Sequence, residues 1–470
     1  MAASGLADQA RRTAYDVLRA VAKRDAYANL LLPALLSERR LTGRDAALAT
    51  ELAYGTLRGQ GGYDAILAVC SDRPLNRIDP PLLEVLRLGA HQLLATRIPQ
   101  HAAVAASVDL AREVTSARRA GFVNAVLRRM AGRDLETWLE IVAPDRSADS
   151  AGYLAVRYSH PRWVVEAFGT ALGEPDGTGA AAELEALLAA DNQRPAVTLV
   201  AKPGRAGQDE LVRSGATPAR WSPYGAHLPE GDPAAVPVVA AGRAAVQDEA
   251  SQLVALALAR APLDGPDRHW LDVCAGPGGK AALLGGLAAE RGARLLAADI
   301  QPHRAALAAA AIGRRAAAAV AADATVPAWP PGTFDRVLAD VPCSGLGALR
   351  RRPEARWRRS AADLRSLGRL QRRLLAAALA SLRPGGVAAY VTCSPLPAET
   401  RSVVEDVLAG GADGPHGMPV PSRVSVLDAP AVLAGIPRLR CPEPDGRYAQ
   451  FWPHRHGTDA MFLALLRRDT

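Results

Sequence analysis

Two short segments in the C-terminal half carry residue types able to do covalent chemistry: Asp340-Val341-Pro342-Cys343-Ser344-Gly345 and Tyr390-Val391-Thr392-Cys393-Ser394-Pro395. Each follows an apolar run that reads as a buried strand, which puts each thiol on the loop leaving a strand. In an open α/β sheet those carboxyl-end loops line the ligand crevice. A thiol there becomes a nucleophile once ionised. Cys393 precedes the next helix, whose free N–H groups and dipole favour a thiolate. Cys70, Cys274 and Cys441, the remaining cysteines, fit buried apolar positions, Cys274 as part of a loop wall. The residues leave open which of the two thiols attacks.

A second constellation is Leu271-Asp272-Val273-Cys274-Ala275-Gly276-Pro277-Gly278-Gly279-Lys280, a strand end, a glycine-rich turn and a helix start in succession. Glycines let a ligand approach the backbone, and the helix N-terminus favours a carboxylate or phosphate. Asp299, at the expected end of the next strand, is placed to accept hydrogen bonds from ribose hydroxyls. On these residues alone a dinucleotide and S-adenosylmethionine fit about equally. Asp323 and Asp340 end the following strands and are candidates for an adenine amino group or a substrate base. One such acid is commonly a cap. Four in register (Asp272, Asp299, Asp323 and Asp340) favour a ligand-binding edge.

Such residues need a frame that gathers strand ends. From Leu253 onward the patterns alternate: strand over 269–273, helix over 279–290, strand over 293–298, helix over 302–314 and strand over 316–322. A strand over 334–339, a helix over 363–382 and a strand over 387–391 continue the series. This alternation predicts a doubly wound parallel sheet. After Pro442, segments 448–452 and 460–466 predict an antiparallel hairpin at the sheet edge. Residues 11–132 show apolar spacing of three and four, with Pro80-Pro81 and Pro99 as helix boundaries, and predict an all-helical domain. Between them, a helix over 180–190 and a strand over 196–200 predict a small α+β connector. The expected division is 1–140, 141–242 and 243–470.

The length of 470 residues and 49% apolar content suffice for two or three domains with proper cores. No charged and apolar leader begins at Met1 and no apolar run reaches membrane-spanning length, so the chain is expected to be soluble and cytoplasmic, with no membrane partner. Five scattered cysteines form neither a disulfide framework nor a CxxC pair, which fits a reducing compartment and no metal site. The net charge of +8 is almost all arginine, lysine occurring only at 23, 202 and 280. That excess is compatible with nucleic acid. A bias towards Arg and Ala codons accounts for it equally well.

From Val246-Gln247-Asp248-Glu249-Ala250-Ser251-Gln252 to the C-terminus the chain resembles the RNA cytosine-5 methyltransferases, through the DVCAGPGGK, DVPCSG and TCS segments and the tail Tyr448-Ala449-Gln450-Phe451-Trp452-Pro453-His454. The helical N-terminus is similar to the NusB-like RNA-binding domain of the bacterial 16S ribosomal RNA members, the Fmu/Sun or ribosomal small-subunit methyltransferase B type. The matching segments are Glu51 to Arg58, Leu86 to Gly89 and Phe122 to Arg128. The resemblance implies a Rossmann-like S-adenosyl-L-methionine-dependent methyltransferase domain, an N-terminal all-helical NusB-like domain and a small α+β connector. It implies that Cys274, Ala275, Gly276, Pro277, Gly278, Gly279, Lys280, Asp299, Asp323 and Asp340 contact the cofactor or the target base. It implies further that Cys393 is the nucleophile and that Cys343 assists elimination and release. Pro395 and Ala398 depart from the family pattern, and Thr400 stands where asparagine is usual.

The chemistry implied is methylation of carbon 5 of a cytosine in small-subunit ribosomal RNA, with Asp340 as a further catalytic group and no metal required. A thiolate adds at carbon 6, and the target base leaves its stack to be reached. A monomer acting on ribosomal RNA is expected; alternatives are a tRNA substrate or a non-catalytic RNA-binding assembly factor. Arg350-Arg351-Arg352, Arg356, Arg358 and Arg359, with Trp357 among them, follow the Cys343 loop, and Arg365, Arg369, Arg372 and Arg373 continue along the next helix. Basic residues around an aromatic favour RNA contact, with Trp357 stacking on a base. Arg118, Arg119, Arg128 and Arg129 are candidates for the same role in the helical domain.

Overall fold

Proline and aspartate punctuate the helices of the first half. Asp79 precedes the helix Pro80–Ala95, Pro99 precedes Gln100–Val114, and the Asp134 carboxylate caps Leu135–Val142 by accepting from Thr137 N at 2.8 Å. In the computed structural model, residues 4–173, 178–313, 317–411, 420–421, 423–437, 439–441 and 446–470 are described. The expected element ends at Arg314 and Ala316, and Pro442, lie outside them. No helix among the described residues is long and apolar enough to cross a membrane.

The chain forms two units, the first built from residues up to Gln193 together with Leu349–Arg359. Its helices Ser4–Arg24, Gly43–Cys70, Pro80–Ala95, Gln100–Val114 and Ala117–Met130 place Leu52, Ile66, Leu67, Val85, Leu86, Val123 and Leu127 in one core. The arginine-rich segment also belongs to this unit, which corrects the expectation of RNA contact at Arg356. Its guanidinium is wholly buried, and Nη1 donates to Ser159 O at 2.9 Å and Asn192 Oδ1 at 2.8 Å. Glu354 accepts from Ala28 N at 3.2 Å, and Arg358 donates to the Ala26 carbonyl. A guanidinium offers several donors in a fixed fork and can therefore pin a segment to carbonyl groups. Arg350 is buried as well, whereas Arg352 is exposed.

The second unit comprises 194–348 and 360–470. Its smaller sheet holds β1 (Val197–Ala201), β2 (Thr217–Pro218), β3 (Gly225–Leu228) and β4 (Ala244–Val246), all antiparallel, in the order β2-β3-β1-β4. The larger sheet contains β5 (His269–Asp272), β6 (Arg294–Asp299), β7 (Ala317–Ala321), β8 (Phe334–Asp340), β9 (Leu382–Thr392), β10 (Val424–Leu427), β11 (Ala449–Gln450) and β12 (Phe462–Arg468). Their order is β10-β12-β9-β8-β5-β6-β7, with β11 paired to β12. From β9 to β7 the pairing is parallel; β12 is antiparallel to β9 and to β10. The chain moves outward from β5 to β7, then returns to place β8 on the other side of β5. That reversal is a topological switch point.

Alternation fills both faces of this sheet. Val387, Ala389 and Val391 enter one core with the helices Glu249–Arg260 and Gly279–Glu290, while Ala388 and Tyr390 enter another with Ala361–Ser381. Two expectations change here. β12 is not at the edge, because β10 pairs beyond it. And β9 does not begin at Val387: it starts at Leu382 and runs through Pro384-Gly385-Gly386, as the register with β8 shifts between Phe334 and Arg336.

Candidate active site

The site is assembled from the carboxyl ends of β5, β6, β8 and β9. After β5 the chain turns sharply into Gly279–Glu290, with Gly278 at φ +111°. A Cβ on Gly278 would lie 2.7 Å from Ala311 Cβ, and one on Gly276 would lie 2.5 Å from Asp299 Oδ2, so only glycine leaves the turn this close to its neighbours. Asp299, buried at the end of β6, binds that turn: Oδ2 accepts from Gly276 N at 3.0 Å and Oδ1 from Gln301 N at 2.9 Å. Ala275 N donates to Ala298 O at 2.8 Å, while Pro277 is exposed at the tip.

Asp272 is buried beneath the turn and accepts from Cys274 N at 3.2 Å. Burial, followed by repulsion from Asp340, pushes its carboxyl up to about 8. Cys274 is held well above the ordinary thiol value by burial, then by Asp272, Asp340 and Asp299, which makes it a poor nucleophile. Lys280 Nζ donates to Asp340 Oδ2 at 2.8 Å. Burial disfavours the ammonium, but attraction to Asp340, to a Cys393 thiolate and to Asp272 outweighs it, and Lys280 is held above its usual value.

The two thiols meet. Cys343 Sγ and Cys393 Sγ are 3.2 Å apart, both half-buried and neither in a disulfide. Parallel pairing of β8 with β9, Asp340 opposite Val391, brings their exit loops side by side. Gly347 N donates to Cys393 O at 2.9 Å and Ala460 N to Gly347 O at 2.8 Å, stitching the loops together. Cys343 is held well above the ordinary thiol value, first by its hydrogen bond to Cys393 and then by burial.

Asp323 stands apart from these contacts. It lies exposed beyond the end of β7, and its Oδ1 accepts from Thr325 N at 2.8 Å and Thr325 Oγ1 at 2.7 Å. Reading the sequence missed Glu399. Its buried carboxylate accepts from Ser344 Oγ and Ser394 Oγ, both at 2.6 Å. The available signal was the serine that follows each of the two thiols.

A parallel sheet with a glycine turn and acids at its switch point, followed by two thiols, defines the class: an S-adenosylmethionine-dependent methyltransferase, here in one chain with a helical NusB-type domain. The model of the family described as 16S rRNA methyltransferase RsmB/F matches residues 258–467, and that of the NusB family matches 8–132. A putative methyltransferase of Mycobacterium tuberculosis is 50% identical over 464 residues, covering 98% of this chain and 97% of the relative. The ribosomal RNA small subunit methyltransferase B of Pseudomonas putida is 34% identical, covering 85% of this chain and 88% of its own length. The crystal structure of PH0851 superimposes with a TM-score of 0.78 at 20% identity, covering 98% of both chains. This chain belongs to the RsmB/F family of 16S rRNA methyltransferases.

Proposed function

We propose that this chain methylates carbon 5 of a cytosine in small-subunit ribosomal RNA through a covalent bond between Cys393 and the base. The observation that carries the reading is the 3.2 Å approach of Cys343 Sγ to Cys393 Sγ beside the Lys280–Asp340 pair. The reaction needs one group to add to the ring and another to help undo that bond, and two thiols at one point supply both. In this reading residues 1–140 bind RNA, 141–242 connect, and 243–470 hold the catalytic site.

The turn fits the cofactor. Gly276 and Gly278 pack the turn tightly against Asp299 and Ala311, a Cβ on Gly279 would meet nothing nearer than 3.6 Å, and the buried Gln247 Oε1 beside Gly279 has no hydrogen-bond partner among the described residues. Cys274 to Lys280 and Asp299 hold S-adenosylmethionine, with Asp323 and Asp340 at the edge of the site. When bound, that cofactor supplies the electrophilic methyl that carbon 5 takes up.

The protein groups do the rest. Cys393 Sγ donates its electron pair to carbon 6, converting carbon 5 into the nucleophilic end of an enamine. The Lys280 ammonium stabilises the attacking thiolate by charge. The Asp340 carboxylate, oriented by Lys280, accepts from the amino group and from the proton that the ring nitrogen takes up from solvent as charge gathers there. After methylation the carbon-5 proton passes to water with help from Cys343. Its bonding pair restores the ring double bond, the carbon 6–sulfur bond breaks, and Cys393 returns as thiolate.

Transfer of a labelled methyl to 16S ribosomal RNA, with bisulfite sequencing of the product, tests this. Cys393→Ala is expected to abolish turnover while keeping cofactor affinity. Retained turnover in that variant refutes the assignment.

A further inference from the structure

Glu399 performs none of the steps above, yet it touches the residue after each thiol. Its side chain is 0% exposed. Oε1 accepts from Ser344 N at 2.7 Å and Gln371 Nε2 at 3.2 Å, and Oε2 accepts from Ser344 Oγ and Ser394 Oγ, each at 2.6 Å. A buried carboxylate is costly unless donors surround it. Here four donors do, and bonds to a charged acceptor are among the stronger ones available to side chains. The surroundings hold Glu399 itself: Tyr390 OH donates to its carbonyl at 2.8 Å, and Gln371 Nε2 also donates to Pro342 O at 2.9 Å.

The consequence is geometric. Ser344 is covalently next to Cys343 and Ser394 next to Cys393, so a single carboxylate ties the two exit loops to each other beside the thiols. We propose that Glu399 is a positioning residue that sets the separation of the two sulfurs. The serines divide its influence: Ser394 governs attack by Cys393, and Ser344 governs the release step assisted by Cys343. The proposal rests on the two-thiol reading above. Catalytic geometry is sensitive to displacements of about 1 Å, so loosening one loop slows the step its thiol performs.

The test uses the full chain and two independent readouts. The first needs no RNA: the rate at which diamide, an azo oxidant that accepts two electrons and two protons, joins Cys343 to Cys393. The second is methyl transfer to 16S ribosomal RNA, with adduct formation followed on RNA carrying 5-fluorocytidine, whose carbon 5 has no proton to lose. Glu399→Gln presents an amide N–H₂ to groups that are themselves donors. It is expected to slow disulfide formation about tenfold and to lower kcat about 100-fold, with KM within about threefold. Ser394→Ala is expected to slow adduct formation about tenfold. Ser344→Ala is expected to leave that step within about twofold while release from ordinary cytosine slows about tenfold.

Wild-type cross-linking and kcat in Glu399→Gln overturn the proposal. So does equal slowing of both steps by each serine variant, the result expected from a merely structural role. If Glu399→Gln fails to fold, the serine variants decide. If the wild-type chain makes no 5-methylcytosine but cross-linking responds as stated, the functional reading falls and the positioning role stands.

Discussion

Lys280 Nζ lies 2.8 Å from Asp340 Oδ2, joining the first turn of Gly279–Glu290 to the last residue of β8. This bond links the glycine-rich turn to the loop that carries Cys343, and the same ammonium is attracted to a Cys393 thiolate. Lys280→Met should therefore weaken both the thiolate and the orientation of Asp340. A fall in kcat of about 100-fold is expected, with the acidic limb of the rate profile moved to higher pH because the thiolate forms less readily. Single-turnover rates across pH provide the measurement; an unmoved limb contradicts the link to Cys393.

Cys343→Ala removes the group that assists elimination but leaves the attacking sulfur. Turnover should drop by about 100-fold or more, and a covalent protein–RNA species should accumulate. It is visible as a slow band on a denaturing gel. A folded variant that turns over normally without that band rules out the release role.

Asp272 gives a pH dependence of defined sign. In the folded chain its carboxyl stays protonated up to about pH 8, through burial and then Asp340, while in the unfolded chain it ionises near the ordinary value of about 4. Between those limits the unfolded state binds fewer protons, so this group's contribution is full below about pH 4 and is lost as pH rises through about 8. Asp272→Asn removes the titration and keeps an acceptor for Cys274 N. Its melting temperature should gain on wild type as pH climbs from about 4 to about 8; a gap that stays constant refutes the assignment.

Arg356 separates a structural arginine from an RNA-contacting one. Arg356→Ala leaves Ser159 O and Asn192 Oδ1 without their buried donor, and should destabilise the chain by about 3 kcal/mol in denaturant unfolding. The slope of RNA affinity against salt should not change, because no phosphate contact is removed. A slope reduced by about one would mean that Arg356 reaches the RNA after all.

Much of the fold was legible because its signals are local. The helix expected over 279–290 is Gly279–Glu290, since the glycine turn and the strand before it fix the start. The strand expected over 269–273 is His269–Asp272. Pro384-Gly385-Gly386 misled because it has the composition of a turn, yet pairing with β8 carries β9 through it as an irregular stretch. β10 was not anticipated: it is four residues long and is held by β12 rather than by its own pattern.

The sequence by itself determined which chemistries were available, because a thiol on a strand exit, a glycine turn and a carboxyl at a strand tip are properties of residue type and short-range order. Only the tertiary structure decided which of these groups touch. Cys343 reaches Cys393, Lys280 reaches Asp340, and Glu399 reaches both serines, through strand order and register set by residues far apart in the chain. The same long-range packing buries Arg356, which its basic neighbourhood had marked for solvent. Charge and periodicity are written locally, whereas contact depends on how distant segments share one core.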